Sequence, residues 1–312
     1  RSLPCIRAVL GGGSMSVLRQ QNEIQTEASA IPPFPLQSTL QETARRARAR
    51  RTGWVWAGRA LVIVVVIGGW QWFTAVGWVD KFFYGRPSDI WNSLVTLFTE
   101  GTAFGTIWAN LWVTVQEALY GFLVGTVAGV IIGILLGSNR YLSDVLNPYI
   151  KILNSIPRIV LGSIFIVAFG LGIFPKILLA AVLVFFAVFF NAYQGVREVD
   201  QNLVANVRVL GASPLQIARH VTIPSAMTWI IASLHTAFGF AIIGALVAEV
   251  LGAQKGIGLL ISQAQGHFDP NTVFACMVII AVVTLGAEYL ITLLEKVVLK
   301  WRPPSRYEAQ AI

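Results

Sequence analysis

The tightest constraint on how this chain can fold is a set of apolar runs about as long as a bilayer is thick. A helix needs roughly 20 apolar residues to cross the hydrocarbon layer, and every backbone polar group inside that layer must be paired within the structure. Candidate spans cover about residues 57–78, 107–136, 147–171, 177–190, 227–251 and 272–298. The first has LVIVVVIGG at its centre and Trp54, Trp56, Trp70, Trp72 and Trp78 near its ends, where interfacial aromatics belong. Only 12% of the 312 residues are charged, against roughly 25% in a soluble domain. These features predict an all-α polytopic membrane protein with about six transmembrane helices.

The net charge of +8 is too unevenly placed for a nucleic-acid surface, and no nucleic-acid partner is expected. Arg45 to Arg51, Arg59, Arg140, Arg197, Arg208, Arg219, Lys296, Lys300, Arg302 and Arg306 fall on the face shared by both termini. The opposite face has Lys81, Arg86, Lys176 and Lys255. By the positive-inside rule, both termini and the polar insert at 194–224 are expected to be cytoplasmic. Residues 1–14 (RSLPCIRAVLGGGS) read as a foreign leader with Met15 as the native start. Residues 15–52 are expected to form a cytoplasmic tail, mobile to about residue 44, residues 53–300 the membrane domain, and 301–312 a second tail. Cys5 and Cys276 have no metal-ligand spacing, so neither a metal site nor a disulfide framework is expected.

Within this frame several segments carry local signals. In the second span, Gly121, Gly125, Gly129, Gly133 and Gly137 recur at every fourth position and leave one helix face bare, which predicts close helix packing. PSDIWNSLVTLF suggests an interfacial helix capped by Ser88. Pro148 and Pro157 should bend or delay the third span, and FGLGIFP, ending at Pro175, reads as a hinge. QKGIGLLISQAQGHFDP is too short and broken to span, and is expected to be re-entrant or at the surface.

The insert has the clearest local grammar. Val199, Leu203, Val207 and Leu210 predict an amphipathic helix that ends at Gly211. Ser213 then caps a second helix, with Pro214 at its first position and Gln216 placed to close a capping box; Leu215, Ala218, Arg219 and Thr222 continue the turn, and Pro224 precedes the next span. Such a unit either lies on headgroups or presents a stiff shape to a partner.

Gly211 to Pro224, with Val221 and Ile223 before the proline, resembles the cytoplasmic loop signature of permease subunits of bacterial ATP-driven importers. TVQEALYGF (114–122), the IPR around Pro157, FGLG (169–172), GVREVD (195–200), LGAS (210–213) and AEVLGAQKGIGLLI (248–261) extend the likeness over most of residues 80–300. Together they are similar to the nitrate/sulfonate/taurine/bicarbonate-type branch. The resemblance implies a type I ABC importer permease fold in the bacterial inner membrane. It implies a homodimer of permeases, two ATPase subunits holding ATP and Mg, and a periplasmic or lipid-anchored solute-binding protein. It further implies coupling through Ala205, Asn206, Val207, Gly211, Ala212, Ser213, Pro214, Leu215, Gln216, Arg219 and Pro224, with Gly211 and Pro224 as hinges of a lever. The family's Glu-Ala-Ala falls here on Ala205, Asn206 and Val207, so the acidic residue is missing.

The chain has no GxxxxGK[ST] loop and no catalytic constellation, so it reads as a non-catalytic subunit without a cofactor of its own. His220, His235 and His267 look isolated. Ionisable residues in spans are costly, which singles out Glu117, Glu249 and Glu288. Glu249 suits either a gate or a brace for AQKGIG. Glu117 and Glu249, with Asn191, Ser233, Thr236, Gly239 and Gly244, are candidates for a translocation path or gate. The expected solute is a small organic anion, such as a sulfonate or carboxylate, or a small heterocycle. Glu117 stands where the related sulfonate and nitrate permeases more often have arginine, which disfavours a simple inorganic anion. The competing reading is an ion-coupled secondary transporter or channel without an ATPase.

Overall fold

The structure, a computed structural model, describes the backbone of residues 35–298 and the side chains of residues 50–297. The expectations for residues 1–34, including Met15, and for 299–312 lie outside the described residues, as do the side chains of Arg45, Arg46 and Arg48. The chain divides after Gly69. Helix α1 (Pro35–Val76) starts well ahead of the apolar run, so the expected mobile stretch is helical from Pro35 onward. Its Gln, Glu, Arg and Ala residues are good helix formers, and the helix propagates through them into the span. Leu61, Val62, Ile63, Val64, Val65, Val66 and Ile67 all stand exposed, as in a lipid-facing helix.

The unit from Trp70 onward holds the remaining helices. They are α2 (Lys81–Tyr84), α3 (Pro87–Thr99), α4 (Ile107–Ser138), α5 (Arg140–Ser155), α6 (Arg158–Phe169) and α7 (Ile173–Arg197). Then come α8 (Gln201–Val209), α9 (Pro214–Ile217), a π-turn (Ala218–Thr222), α10 (Ile223–Leu251), α11 (Ile257–Gly266) and α12 (Pro270–Val298). Among the described residues, five helices are long and apolar enough to cross a membrane, or six crossings if α5 and α6 count as one bent span.

The core is a three-helix arrangement whose directions follow from its contacts. Gly121 lies against Ala180, Gly125 against Ala181 and Val184, Gly129 against Phe185 and Val188, Gly133 against Ala192, and Gly137 against Val196. Both helices advance together, so α4 and α7 are parallel. A Cβ on Gly121 would sit 2.4 Å from Ala180 Cβ, and one on Gly125 would sit 2.5 Å from the Ala181 carbonyl oxygen. Contacts that close exist only because the ridge is bare. Helix α10 runs the other way: Gly244 faces Ala180 while Trp229 covers Gly195, and Phe238 meets Phe122 edge-on, with ring centroids 5.5 Å apart.

Because α4 and α7 run the same way, the chain must return between them, and α5 and α6 make that return. They meet at 84°. Ile156 is extended there (ψ 127°) before Pro157, which has no N–H to continue a helix. Pro148, by contrast, sits inside α5 without breaking it. Gly162 of α6 packs on Leu179 and Leu251.

Several expectations need correction. Helix α3 starts at Pro87 with Arg86 at the cap position. Ser88 is not the cap; its N–H donates to Gln71 Oε1 (3.2 Å). Pro175 lies in the first turn of α7 rather than in a hinge, a position where a missing N–H costs nothing. The stretch after Lys255 is too short to span, as expected, and forms the ten-residue helix α11, with Ile257, Gly258, Leu260 and Ala264 buried.

Candidate functional site

Two regions concentrate the chemistry. The first is a buried knot at one end of the three core helices. Glu117 on α4 and Glu249 on α10 are both buried, and so is Lys176 in the first turn of α7. Lys176 Nζ lies 3.2 Å from Glu117 Oε1. The contact is an ion pair by distance, but its angles miss a hydrogen bond, so neither Glu117 oxygen has a hydrogen-bond donor among the described residues. The Glu249 carboxyl group is also within electrostatic reach of both Glu117 and Lys176. Lys176 therefore does not stand on the outer surface as its flanking sequence suggests. A charge beside an apolar run is normally pushed to water, but here the partner carboxylates lie on other helices.

Glu249 is tied down further. Thr114 Oγ1 donates to Glu249 Oε1 (2.7 Å) and the Gly258 N–H donates to Glu249 Oε2 (2.6 Å). Thr114 Oγ1 in turn accepts the Ile257 N–H (2.9 Å), and Asn110 Oδ1 accepts the Gly256 N–H (2.9 Å). The first N–H groups of α11, which have no partner in their own helix, are thus held by side chains of α4 and α10. Gly256 has φ +122° and its missing Cβ would fall 2.1 Å from Glu249 Oε1, so only glycine fits. Of the two roles open to Glu249, this geometry is that of a brace. Asn110, Thr114 and Lys176 were not singled out in the sequence; an unusual polar spacing (Asn110, Thr114, Glu117) on one face of an apolar helix was the available signal.

The second region is the insert. Asp200 caps α8, accepting the Asn202 N–H. At the far end the Gly211 N–H donates to Arg208 O (3.0 Å) and the Ala212 N–H to Val207 O (3.3 Å), with Gly211 at φ +87°. This pair of bonds is a Schellman ending. Ser213 and Gln216 then form both halves of a capping box at the start of α9. Val199, Ile217 and Val221 make a small core with Val204, Val207 and Ala212. Val209, Leu210 and Leu215 stay outside it at 87, 85 and 78% exposure. Of the apolar stripe, Val199 and Val207 join this core, Leu203 and Leu210 are exposed, and Val204 takes a core position. Ala205, Asn206 and Arg219 are also exposed.

Pro224 does not end the second helix of the insert. From Pro214 to Leu251 the chain forms one helical rod. The π-turn widens it at Ala218–Thr222, with the Ile223 N–H donating to Ala218 O. That wider turn makes room for the proline ring, which would clash with the carbonyl four residues back in a regular helix.

The remaining path candidates separate. Ser233 is buried and donates to Ile230 O (2.6 Å), and Gly244 is packed on Ala180. Asn191 donates to Ala187 O of its own helix (2.8 Å). Thr236 is exposed and Gly239 faces open space, on one side of α10 that also carries Trp229, Phe240 and Ile243. His235 is not isolated: its Nδ1 lies 2.6 Å from Glu288 Oε1 and its Nε2 3.2 Å from Glu295 Oε2.

Long apolar helices around a glycine-packed core, with a folded apolar-tipped insert between two of them, define a multi-pass α-helical membrane protein. Residues 125–300 match the family described as binding-protein-dependent transport system inner membrane component, and the chain belongs to that family. It is 33% identical to the aliphatic sulfonates transport permease protein SsuC of Bacillus subtilis (strain 168) over 267 residues, covering 86% of this chain and 95% of that protein. It is 30% identical to the riboflavin transport system permease protein RibX of Chloroflexus aurantiacus over 162 residues, 52% of this chain and 60% of that one. Among solved structures, an inward-facing form of the MetNI methionine ABC transporter superposes with a TM-score of 0.53 at 20% identity, covering 62% of this chain and 96% of that chain. The chain is thus an inner-membrane ABC importer permease by family, and the structural likeness establishes the shared fold.

Proposed function

We propose that this chain, as a homodimer, carries a small organic solute inward across the membrane by alternating access, driven by two separate ATPase subunits and fed by a binding protein. The observation that carries the reading is the insert tip. Val209, Leu210 and Leu215 stand exposed around a Schellman turn and a capping box. A folded loop with exposed large apolar side chains fits a protein partner better than water. The tip continues without a break into α10, so a push on it moves a whole span. Coupling runs through Gly211, Ser213, Pro214, Leu215 and Gln216. It lacks the acidic residue the family has at the position of Ala205, so shape and apolar contact take the larger share. Both termini and the tip lie in the cytoplasm, and Thr236 and Gly239 on the open face of α10 border the path.

The solute is an organic anion of the sulfonate or carboxylate class, or a small heterocycle. Support comes from relatives named for aliphatic sulfonates, riboflavin and formylaminopyrimidine. The test is reconstitution of the chain with its ATPase and binding protein in vesicles. ATP-dependent uptake of an alkanesulfonate or a pyrimidine is expected. Uptake driven by a proton or sodium gradient with no ATPase present supports the ion-coupled alternative instead.

A further inference from the structure

Between the insert and the adjoining ends of α4, α5 and α7 lies a cleft of about 460 Å³. Three elements each turn one arginine to its lining: Arg140 opens α5, Arg197 closes α7, and Arg208 belongs to α8. Ser138, Gln201 and Thr222 add neutral polar groups. Among the described residues no aspartate or glutamate lines it, and neither Arg140 nor Arg208 has an ion-pair partner. Arg197 is held in place. Its guanidinium stacks over the Tyr193 ring, 5.4 Å from the centroid, and donates to the Tyr193 hydroxyl. That hydroxyl is fixed by the buried Ser143 hydroxyl at 2.6 Å.

We propose that this cleft binds a phosphate group. Three exposed arginines that line one cleft make it a favourable place for an anion. Planar guanidinium forks match the oxygens of a phosphate, which accept from several directions at once. The cleft opens beside Gly137 and Ser138, the last residues of the apolar helix α4, and an apolar span ends where lipid headgroups begin. Basic residues that serve only to set topology need no common cleft; these share one. A phosphate bound here bridges Arg208 of the insert to Arg140 and Arg197 at the span ends, and so ties the insert to the membrane body. The phosphate belongs either to an anionic lipid headgroup or to a free phosphate ion. The site does not depend on the coupling reading, because its binding is measured without any ATPase.

The experiment compares the purified full-length chain with the double variant Arg140→Gln, Arg208→Gln. One arm measures retention of phosphatidylglycerol against phosphatidylcholine by native mass spectrometry. The other follows thermal unfolding during titration with inorganic phosphate. The wild type should bind at least about tenfold more tightly than the variant, the factor that loss of one charged contact produces. Preference for phosphatidylglycerol without a response to inorganic phosphate identifies the headgroup; stabilisation by inorganic phosphate identifies the free ion. Equal binding by wild type and variant overturns the proposal, as does no binding by the wild type in either arm. If the wild type binds in neither arm and the variant loses an ATPase subunit, the arginines serve a protein carboxylate and the proposal fails. Should the variant not fold, Arg140→Lys, Arg208→Lys keeps the charge but removes the forks; binding must still weaken, and unchanged binding overturns the proposal.

Discussion

Thr114→Val offers the sharpest test of the buried knot, because valine has nearly the shape of threonine and removes only the hydroxyl. That hydroxyl donates to Glu249 Oε1 at 2.7 Å and accepts from the Ile257 N–H at 2.9 Å, and Thr114 is fully buried. Valine leaves the Ile257 N–H unpaired, at about 1–3 kcal/mol, and removes a hydrogen bond to the Glu249 carboxyl group, about 0.5–3 kcal/mol more. Glu249 keeps the Gly258 N–H, so the total should fall near ~3–5 kcal/mol rather than higher. Thr114→Ser keeps both bonds and loses a single methyl group, at about 1 kcal/mol. Thermal or denaturant unfolding in detergent, read by tryptophan fluorescence, should therefore rank wild type, serine and valine in that order, with valine at least ~2 kcal/mol below serine. Hydrogen exchange at Ile257 and Gly258 should speed up in the valine variant alone. If valine and serine were equally stable and exchanged alike, the brace would not depend on this hydroxyl and the reasoning would be refuted.

Other substitutions separate the remaining contacts. Gly125→Ala places a Cβ 2.5 Å from the Ala181 carbonyl oxygen and should destabilise by about 1–3 kcal/mol, whereas Gly286→Ala meets open space and should stabilise by up to ~1 kcal/mol; unfolding of the two variants in parallel checks both. Lys176→Met leaves Glu117 buried without its cation and should cost ~3–5 kcal/mol, most of it regained when Glu117→Leu is added; a double variant no better than the single one contradicts the pairing. Leu210→Asp with Leu215→Asp should leave the unfolding midpoint unchanged, since both side chains are exposed. The same pair should weaken retention of an ATPase subunit in pull-down by at least about tenfold.

Local patterns in this chain are readable because their partners are close in sequence. A glycine at every fourth residue leaves a bare ridge whatever the rest of the protein does, and α7 lies on that ridge. Ser213 and Gln216 need only each other to make a capping box. Lys176 is different: nothing near it announces a buried partner, because Glu117 lies on another helix. His235 looked solitary for the same reason, with its carboxylates on α12. Pro224 misleads in another way. Proline preferences describe regular helices, and the π-turn before it changes the hydrogen-bond pattern that makes proline a breaker. The division of the insert's apolar residues between its small core and its exposed tip depends on how α8 and α9 fold on each other, which a helical period alone does not contain.

The unbroken helix from Pro214 to Leu251 also has a mechanical ratio. Its 38 residues span roughly 57 Å at 1.5 Å per residue, and Glu249, two residues from its C-terminal end, is fastened to α4 and α11. A rod pivoting about that fastening swings its free tip by roughly 5 Å for a tilt of only about 5°. The same gearing works in reverse. A slight shift at the fastened end becomes a much larger displacement at the tip, so the two ends of the rod are linked with gain in one direction and added force in the other.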